Sequence, residues 1–328
     1  MQVQFDSNRQ FGVEIETAVS GPSIPQIARA LNEAGIPTAN EGYNHTTMSI
    51  WKVVPDGSTG PEVVSPPLKG QDGLDQIKAV CDVLNAIGCR VNRSTGIHVH
   101  HDFEDATVTK MKSVLFLYAK AQVLTNALLP TRVTVSNGNG RFTGYANQLS
   151  LSMIEAGAQR VNSMYSRSRY GDRTRFFASN VLSGEDHPRY HTVNSQAFLG
   201  HGTIEFRQHS GSLNAQKIQS WVVFTQNIMT VATSKNITSK ALENKSHAAI
   251  WKVMATLGRD THCPITKKAR QNIFQRIFEN AERGRLVSIG ISTDLRGLNE
   301  FLGVARRYLK PEQLKALKRI SKRISYQY

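Results

Sequence analysis

Three short segments of this chain alternate apolar and ionisable residues with a period of two: Val13-Glu-Ile-Glu16, Gly96-Ile-His-Val-His100 and Ile204-Glu-Phe-Arg-Gln-His209. Side chains alternate across a strand, so residues two apart share a face. The pattern predicts strands that bury Val13, Ile15, Ile97, Val99, Ile204 and Phe206 on one side. The other side would present Glu14 with Glu16, His98 with His100, and Glu205 with Arg207 and His209. Solvated strand faces are usually mixtures rich in Thr, Ser and Lys, whereas these carry almost only Glu, His and Arg. Glu14 and Glu16 on one face repel each other unless a cation neutralises them. A divalent metal is the economical answer.

Further strand-like alternation runs through Met48 to Val54, Glu62 to Ser65 and Tyr190 to Phe198. Helical periodicity marks Pro25 to Ala34, Leu74 to Ile87, Val108 to Leu129 and Ala215 to Thr233. Because the first strand is followed by a helix and the later strands come in neighbouring pairs, an α+β fold with an antiparallel sheet is expected rather than a doubly wound parallel one. The clustered Asn and Gly of residues 136–144 predict a loop. After Ser234 the strand signals stop, which suggests a catalytic core over residues 1–233 and a helical extension over 234–328. Its final helix, opening at Pro311, would place Leu314, Leu317, Ile320 and Ile324 on one face, with Lys315, Lys318, Arg319, Lys322 and Arg323 elsewhere. Such a basic amphipathic helix either meets an acidic partner or is simply solvated.

Charge is the strongest compositional signal. With 40 Lys and Arg against 25 Asp and Glu, the formal charge is +15, which favours anionic partners such as nucleotides, acidic peptides or nucleic acid. Cys81, Cys89 and Cys263 form no CxxC pair, as expected for packing residues in a reducing cytoplasm. The first residues lack a basic start followed by an apolar stretch, so no export signal is expected. No segment approaches the ~20 apolar residues of a membrane helix. A cytoplasmic location is the expectation.

Trp51-Lys-Val-Val-Pro-Asp-Gly-Ser58 and Pro61-Glu-Val-Val-Ser-Pro66 would bring Lys52, Asp56 and Glu62 towards the same site. Asp56 in Pro-Asp-Gly is by default a turn former whose carboxylate bonds its own backbone. Glu14, Glu16, Asp56, Glu62 and Glu205 together offer the hard oxygen ligands that magnesium prefers. One alternative is a zinc hydrolase built on His98-Val-His-His-Asp102, completed by His191, His201 or His209; it leaves Arg207 and the carboxylates without a role. Another is a nucleic-acid-binding protein using Arg167, Arg169, Arg173 and Arg175 interleaved with Tyr165, Tyr170 and Phe176. Five carboxylates on strands would repel a phosphate backbone unless metal filled them. There is no GxxxxGK[ST] loop to hold phosphates and no GxSxG element to supply a nucleophile.

FGVEIE at 11–16, WKVVPDGS and PEVVSP at 51–66, TGIHVHHD at 95–102, RYHTVN at 189–194 and GTIEFRQHSGSLN at 202–214 occur in an order and spacing that resembles the amidoligase family. That family is related to glutamate–cysteine ligase and glutamine synthetase. The resemblance implies a curved antiparallel sheet of the glutamine synthetase/glutamate–cysteine ligase type, flanked by helices, whose concave face carries ATP and two or three magnesium ions. By similarity, Glu14, Glu16, Asp56, Glu62 and Glu205 would be metal ligands, with His98 or His100 at the metal–phosphate region. Arg207 would contact the transferred γ-phosphate, acting with His98 and Glu205, while Lys52, His100, Arg189 and Asn194 would touch nucleotide or substrate. The implied activity is ATP- and Mg2+-dependent joining of a carboxylate to an amine through an acyl phosphate. The resemblance identifies neither substrate.

Overall fold

A computed structural model describes residues 5–129, 146–185, 187–243, 264–283, 306, 309–316 and 319. Seven strands form one sheet: β1 (Phe11–Glu16), β2 (Thr38–Asn40), β3 (Trp51–Pro55), β4 (Pro61–Val64), β5 (Gly96–Asp102), β6 (Val193–Asn194) and β7 (Thr203–Ser210). Their order across the sheet is β2-β3-β4-β1-β5-β7-β6. All neighbours are antiparallel except β2 with β3, which the sequence did not predict.

The helices are α1 (Ile24–Glu33), α2 (Gly70–Ala86), α3 (Val108–Leu128), α4 (Leu151–Tyr165), α5 (Arg173–Asn180), α6 (Ala197–His201), α7 (Ala215–Ser234), α8 (Ser239–Glu243) and α9 (Pro264–Glu282). Their starts follow from local chemistry. Thr107, Ser150, Asp172 and Asn214 each accept a hydrogen bond from a first-turn backbone amide, opening α3, α4, α5 and α7. The cap by Asp172 turns part of the arginine-rich stretch into helix α5.

Helices cover one face of the sheet. Phe11, Val13, Ile15, Trp51, Val53, Val63, Ile97, Val99, Ile204 and Phe206 are all buried in one apolar cluster with residues of α2, α3 and α7. Trp221 on α7 is fully buried there. The cluster continues into α9 through Ile273, Phe274, Ile277 and Phe278. Every aliphatic residue that the alternating pattern assigned to the core thus lies in it, and the opposite face keeps the ionisable residues.

Two elements depart from expectation. The predicted strand at Tyr190 to Phe198 contracts to Val193–Asn194, flanked by a 3-10 turn at Pro188–Tyr190 and by α6. Asn194 contributes to that early end, since its Oδ1 accepts from the amide of Gln196 and turns the chain. In β7 the pairing with β5 shifts register, with Val99 opposite Phe206 but Ile97 opposite His209. One extra residue on β7 reverses the alternation beyond Arg207. His209 therefore turns to the helix-covered face instead of joining Glu205 and Arg207.

Residues 136–144, Cys263, Leu317, Ile320 and Ile324 lie outside the described residues, as do Lys318, Lys322 and Arg323. Within the described part of the last segment, Leu314 packs against the core cluster. Gln313 Nε2 donates to Gln275 Oε1 of α9 at 2.8 Å.

Candidate active site

Strand register gathers the ionisable residues on the uncovered face. Glu16 lies opposite Glu62, Glu14 opposite His98, His100 opposite Glu205, and Glu205 opposite Asn194. Five adjacent strands, β4, β1, β5, β7 and β6, therefore contribute to one polar band. Cross-strand partners point the same way, so a sequence pattern repeated on separate strands becomes one site.

Within the band His98 is the hub. Its Nδ1 is 2.8 Å from Glu14 Oε2 and 3.5 Å from Glu205 Oε1, and its Nε2 is 3.4 Å from Glu16 Oε1. His100 Nδ1 bonds Thr203 Oγ1 at 2.9 Å, while its Nε2 lies 3.3 Å from Glu14 Oε1. That Nε2 is buried, and its contact with Glu14 falls short of good hydrogen-bond geometry. Glu16 Oε2 accepts the Gly96 amide at 2.6 Å, which fixes the carboxylate at the start of β5. Asn194 Nδ2 donates to Glu205 Oε2 at 2.7 Å, and Arg207 pairs with the other oxygen of Glu205. The guanidinium of Arg207 also lies over the Tyr190 ring, 5.7 Å from its centroid.

The carboxylates are not equivalent. Burial pushes Glu14 up, but His100 and His98 outweigh it and hold Glu14 well below the usual carboxylate range. Burial likewise raises Glu205, and Arg207, His100 and His98 bring it down. Glu62 goes the other way. Burial and the negative charges of Glu14, Glu16, Asp56 and Glu205 raise it well above the usual range. Among the described residues no histidine, lysine or arginine lies within ion-pair distance of Glu62. A cation beside Glu62 would relieve that repulsion. Two sets of ligand atoms lie close enough to hold an ion, Glu14 with Glu62 and His98, and Glu14 with His100 and Glu205. Glu14 belongs to both.

The band forms the floor of a two-armed cleft. The larger arm, about 890 Å³, runs past Glu16, Asp56, His98, Arg189, Tyr190, Asn194 and Arg207. The smaller, about 300 Å³, runs past Lys52, Val64, Asp102 and the loop at 44–48. Glu14, Glu62 and His100 line both arms.

Residues 7–229 match the family described as "Putative amidoligase enzyme". The chain belongs to this amidoligase family. Its members are amide-bond-forming ligases, and the segments that carry the match supply the whole polar band. No curated protein matches the chain. A solved structure similar to it is the complex between the prokaryotic ubiquitin-like protein Pup and its ligase PafA, at 14% identity and a TM-score of 0.35. That similarity covers 97% of this chain and 65% of the other, so the chain spans less than two thirds of its length.

The amidoligase band holds Glu14, Glu16, Glu62, His98, His100, Asn194, Glu205 and Arg207, all expected from the sequence. Other expected residues are placed differently. Asp56 lines the cleft, but its Oδ1 accepts from the amides and hydroxyls of Ser58 and Thr59 and closes the turn between β3 and β4. Gly60 ends that turn where an added Cβ would come within 2.7 Å of the Thr17 carbonyl. Lys52 is buried, and its Nζ donates to Asn44 O, Asn44 Oδ1 and Thr46 O at 2.8 to 3.1 Å. Its three donors pin the 44–46 loop. Arg189 is exposed on the wall of the larger arm, over the Tyr190 ring.

His209 leaves the site altogether. Its Nδ1–H donates to Ser210 O at 2.6 Å, so Nε2 accepts from Arg276 of α9 at 3.1 Å, and the ring packs on Trp221. Sequence reasoning overlooked Thr203, Tyr190 as a support for Arg207, and the loop at 44–48. Thr203 had a readable signal, since it precedes Glu205 by two on the same strand. The loop had none.

The arginine-rich surface is only partly free. Arg173 bonds Asn162 Oδ1 and lies over Tyr165, and Arg175 bonds Leu199 O. Among the described residues no helix is long and apolar enough to cross a membrane.

Proposed function

We propose that this chain is an ATP- and Mg2+-dependent carboxylate–amine ligase acting through an acyl phosphate, with its chemistry in residues 1–233 and a helical extension over 234–328. The observation that carries the reading is the pair of ligand sets sharing Glu14 beside Arg207. Each set has one histidine and two carboxylates. Oxygen-rich sets of this kind suit magnesium, whereas a hydrolytic zinc site usually gathers more histidine nitrogen. The uncompensated Glu62 is consistent with a cation in this band.

Glu14, Glu62 and His98 would hold one ion, and Glu14, His100 and Glu205 another, with Glu16 and Asp56 as further ligands. When bound, magnesium would neutralise charge on the transferred phosphoryl group. Arg207 would contact the γ-phosphate, and Arg189 and Asn194 line the same arm for nucleotide or substrate. His98 holds Glu14 in place, and Asn194 orients Glu205. A substrate carboxylate attacks the γ-phosphorus and ADP leaves. The amine nitrogen then bonds to the acyl carbon, the carbon–oxygen bond to phosphate breaks, and the nitrogen gives up a proton. Phosphoryl transfer needs positioning and electrostatics more than covalent help, so no protein nucleophile is required.

ATP with magnesium should raise the melting temperature, by about 2.7 kcal/mol of stability at a hundredfold excess over Kd. Chelation should remove the gain. Stoichiometric tightly bound zinc with no response to ATP would overturn the reading in favour of a hydrolase.

A further inference from the structure

The loop between β2 and β3, residues 41–50, starts at one side of the sheet and is tied down on the other. Glu41 still donates its amide to Val53 O of β3 at 3.1 Å. Further on, Thr47 Oγ1 shares a hydrogen bond with His201 Nδ1 at 3.3 Å, and His201 ends α6 just before β7. Strands β4, β1 and β5 lie between β3 and β7, so the loop spans the strands that carry Glu62, Glu14 and His100. The two arms of the cleft record that crossing. Besides the floor of Glu14, Glu62 and His100, the only described residues that line both arms are His45 of the loop and His201. The His201 ring also stands edge-on to His100, with 5.9 Å between centroids.

Lys52 holds the near side of this loop. By register it stands in one cross-strand row with Val64 and Glu14 on the uncovered face, where an ammonium would ordinarily pair with a carboxylate. Among the described residues it makes no ion pair. An ammonium has three donors, and here all three are directed at the loop, to Asn44 O, Asn44 Oδ1 and Thr46 O. Lys52 is only 4% exposed, and a buried charge is costly without hydrogen-bond partners. Lifting the loop would strip the ammonium of all three at once. No proton of Lys52 is left over for a phosphate.

Resting on the ligase reading, we propose that residues 41–50 form a bridge over the polar band, with Lys52 as its positioning residue, and that the bridge makes the two arms separate entrances to one covered reaction point at Glu14 and His100. Nucleotide enters by the larger arm, which holds Arg189 and Arg207, and the second substrate by the smaller. The covering has a chemical purpose. An acyl phosphate that meets water is lost to hydrolysis, and a closed site prevents that side reaction. Lys52 acts through the loop, by bonding Asn44 and Thr46, and Thr47 acts through its bond to His201.

Two measurements on the full chain test this, with Lys52→Met, Thr47→Val and Thr47→Ser as variants. Thr47 is exposed, so its variants fold even if Lys52→Met does not. Chymotrypsin cuts after Tyr43, an exposed residue of the loop, and native-state cutting follows the population of the opened form. Cutting at Tyr43 should speed up about fivefold in Thr47→Val, the effect of one hydrogen bond, and about a hundredfold in Lys52→Met, which loses three charged ones. Thr47→Ser keeps the hydroxyl and should match the wild type. With Mg–ATP and no second substrate, Thr47→Val and Lys52→Met should keep the wild-type ATP affinity by calorimetry but form ADP several-fold faster. Water then adds to the γ-phosphorus, the bond to ADP breaks and a proton is released. Weakened ATP affinity in Lys52→Met without faster cutting would make Lys52 a nucleotide contact and overturn the proposal. ADP formation that ignores both variants would overturn it as well. A wild type that binds no Mg–ATP overturns the ligase reading instead, and the bridge is then decided by the cutting at Tyr43.

Discussion

Arg207 and Glu205 are buried, paired with each other and two residues apart on β7. An arginine that meets charge developing on a transferred phosphoryl group matters more to the transition state than to nucleotide binding. Arg207→Ala should therefore keep Mg–ATP affinity and lose roughly three orders of magnitude in turnover, the low end for arginine fingers. Steady-state kinetics beside calorimetry checks this, and near-normal amide formation would contradict it. Glu205→Gln should weaken metal-dependent nucleotide binding as well. Because the pair is buried, removing Arg207 should also cost the free protein about 3 kcal/mol, far more than an exposed pair would. Alternation placed these two residues correctly from the sequence. It could not show that Lys52 is consumed by a loop, because that partner is backbone eight residues away with no pattern of its own.

β7 shows where a repeating rule stops. Alternation assumes an unbroken ladder, and the bulge opposite Ile97 to Val99 sends His209 to the helices. The zinc reading loses that histidine for the same reason. At the neighbouring edge, β6 is confined to two residues between the 3-10 turn at Pro188–Tyr190 and the turn closed by Asn194. There His191 is buried with its Nδ1 against the Pro188 carbonyl, and burial lowers its pKa despite that bond and the charge of Glu185. Above about pH 6.5 His191 is neutral folded or unfolded. Below that, the unfolded chain takes up the proton first, so this residue makes stability fall as pH falls, by at most ~1.4 kcal/mol per pH unit. His191→Gln should flatten the decline in denaturation midpoint as pH falls below about 6.5. An unchanged slope would assign the decline to other groups. Long helices such as α3 and α7 were legible because many turns average out local exceptions, and β2 was not because three residues carry no period.

At the scale of the whole molecule, α8 after Ser234 buries Leu242 in the core, and α9 forms a further layer whose Phe274 and Ile277 share the core and whose Arg276 bonds His209. Residues 311–316 rest on that layer through Gln313 and Leu314, far in the chain from the polar band. Truncation before Pro311 should cost about 1 kcal/mol from lost apolar contact and spare Mg–ATP binding. A lost nucleotide site would instead make this segment part of the active centre. The net charge of +15 was readable at once, but the gathering of carboxylates from separate strands into one cleft needed the register of five strands. The central claim is that the polar band is a metal–nucleotide site organised on Glu14, and titration of ATP into the wild-type chain, Glu14→Gln and His209→Gln tests it most directly. ATP should bind the wild type and His209→Gln only with magnesium present, and Glu14→Gln should fold but lose that binding. Binding that needs no magnesium, or that survives in Glu14→Gln, would contradict it.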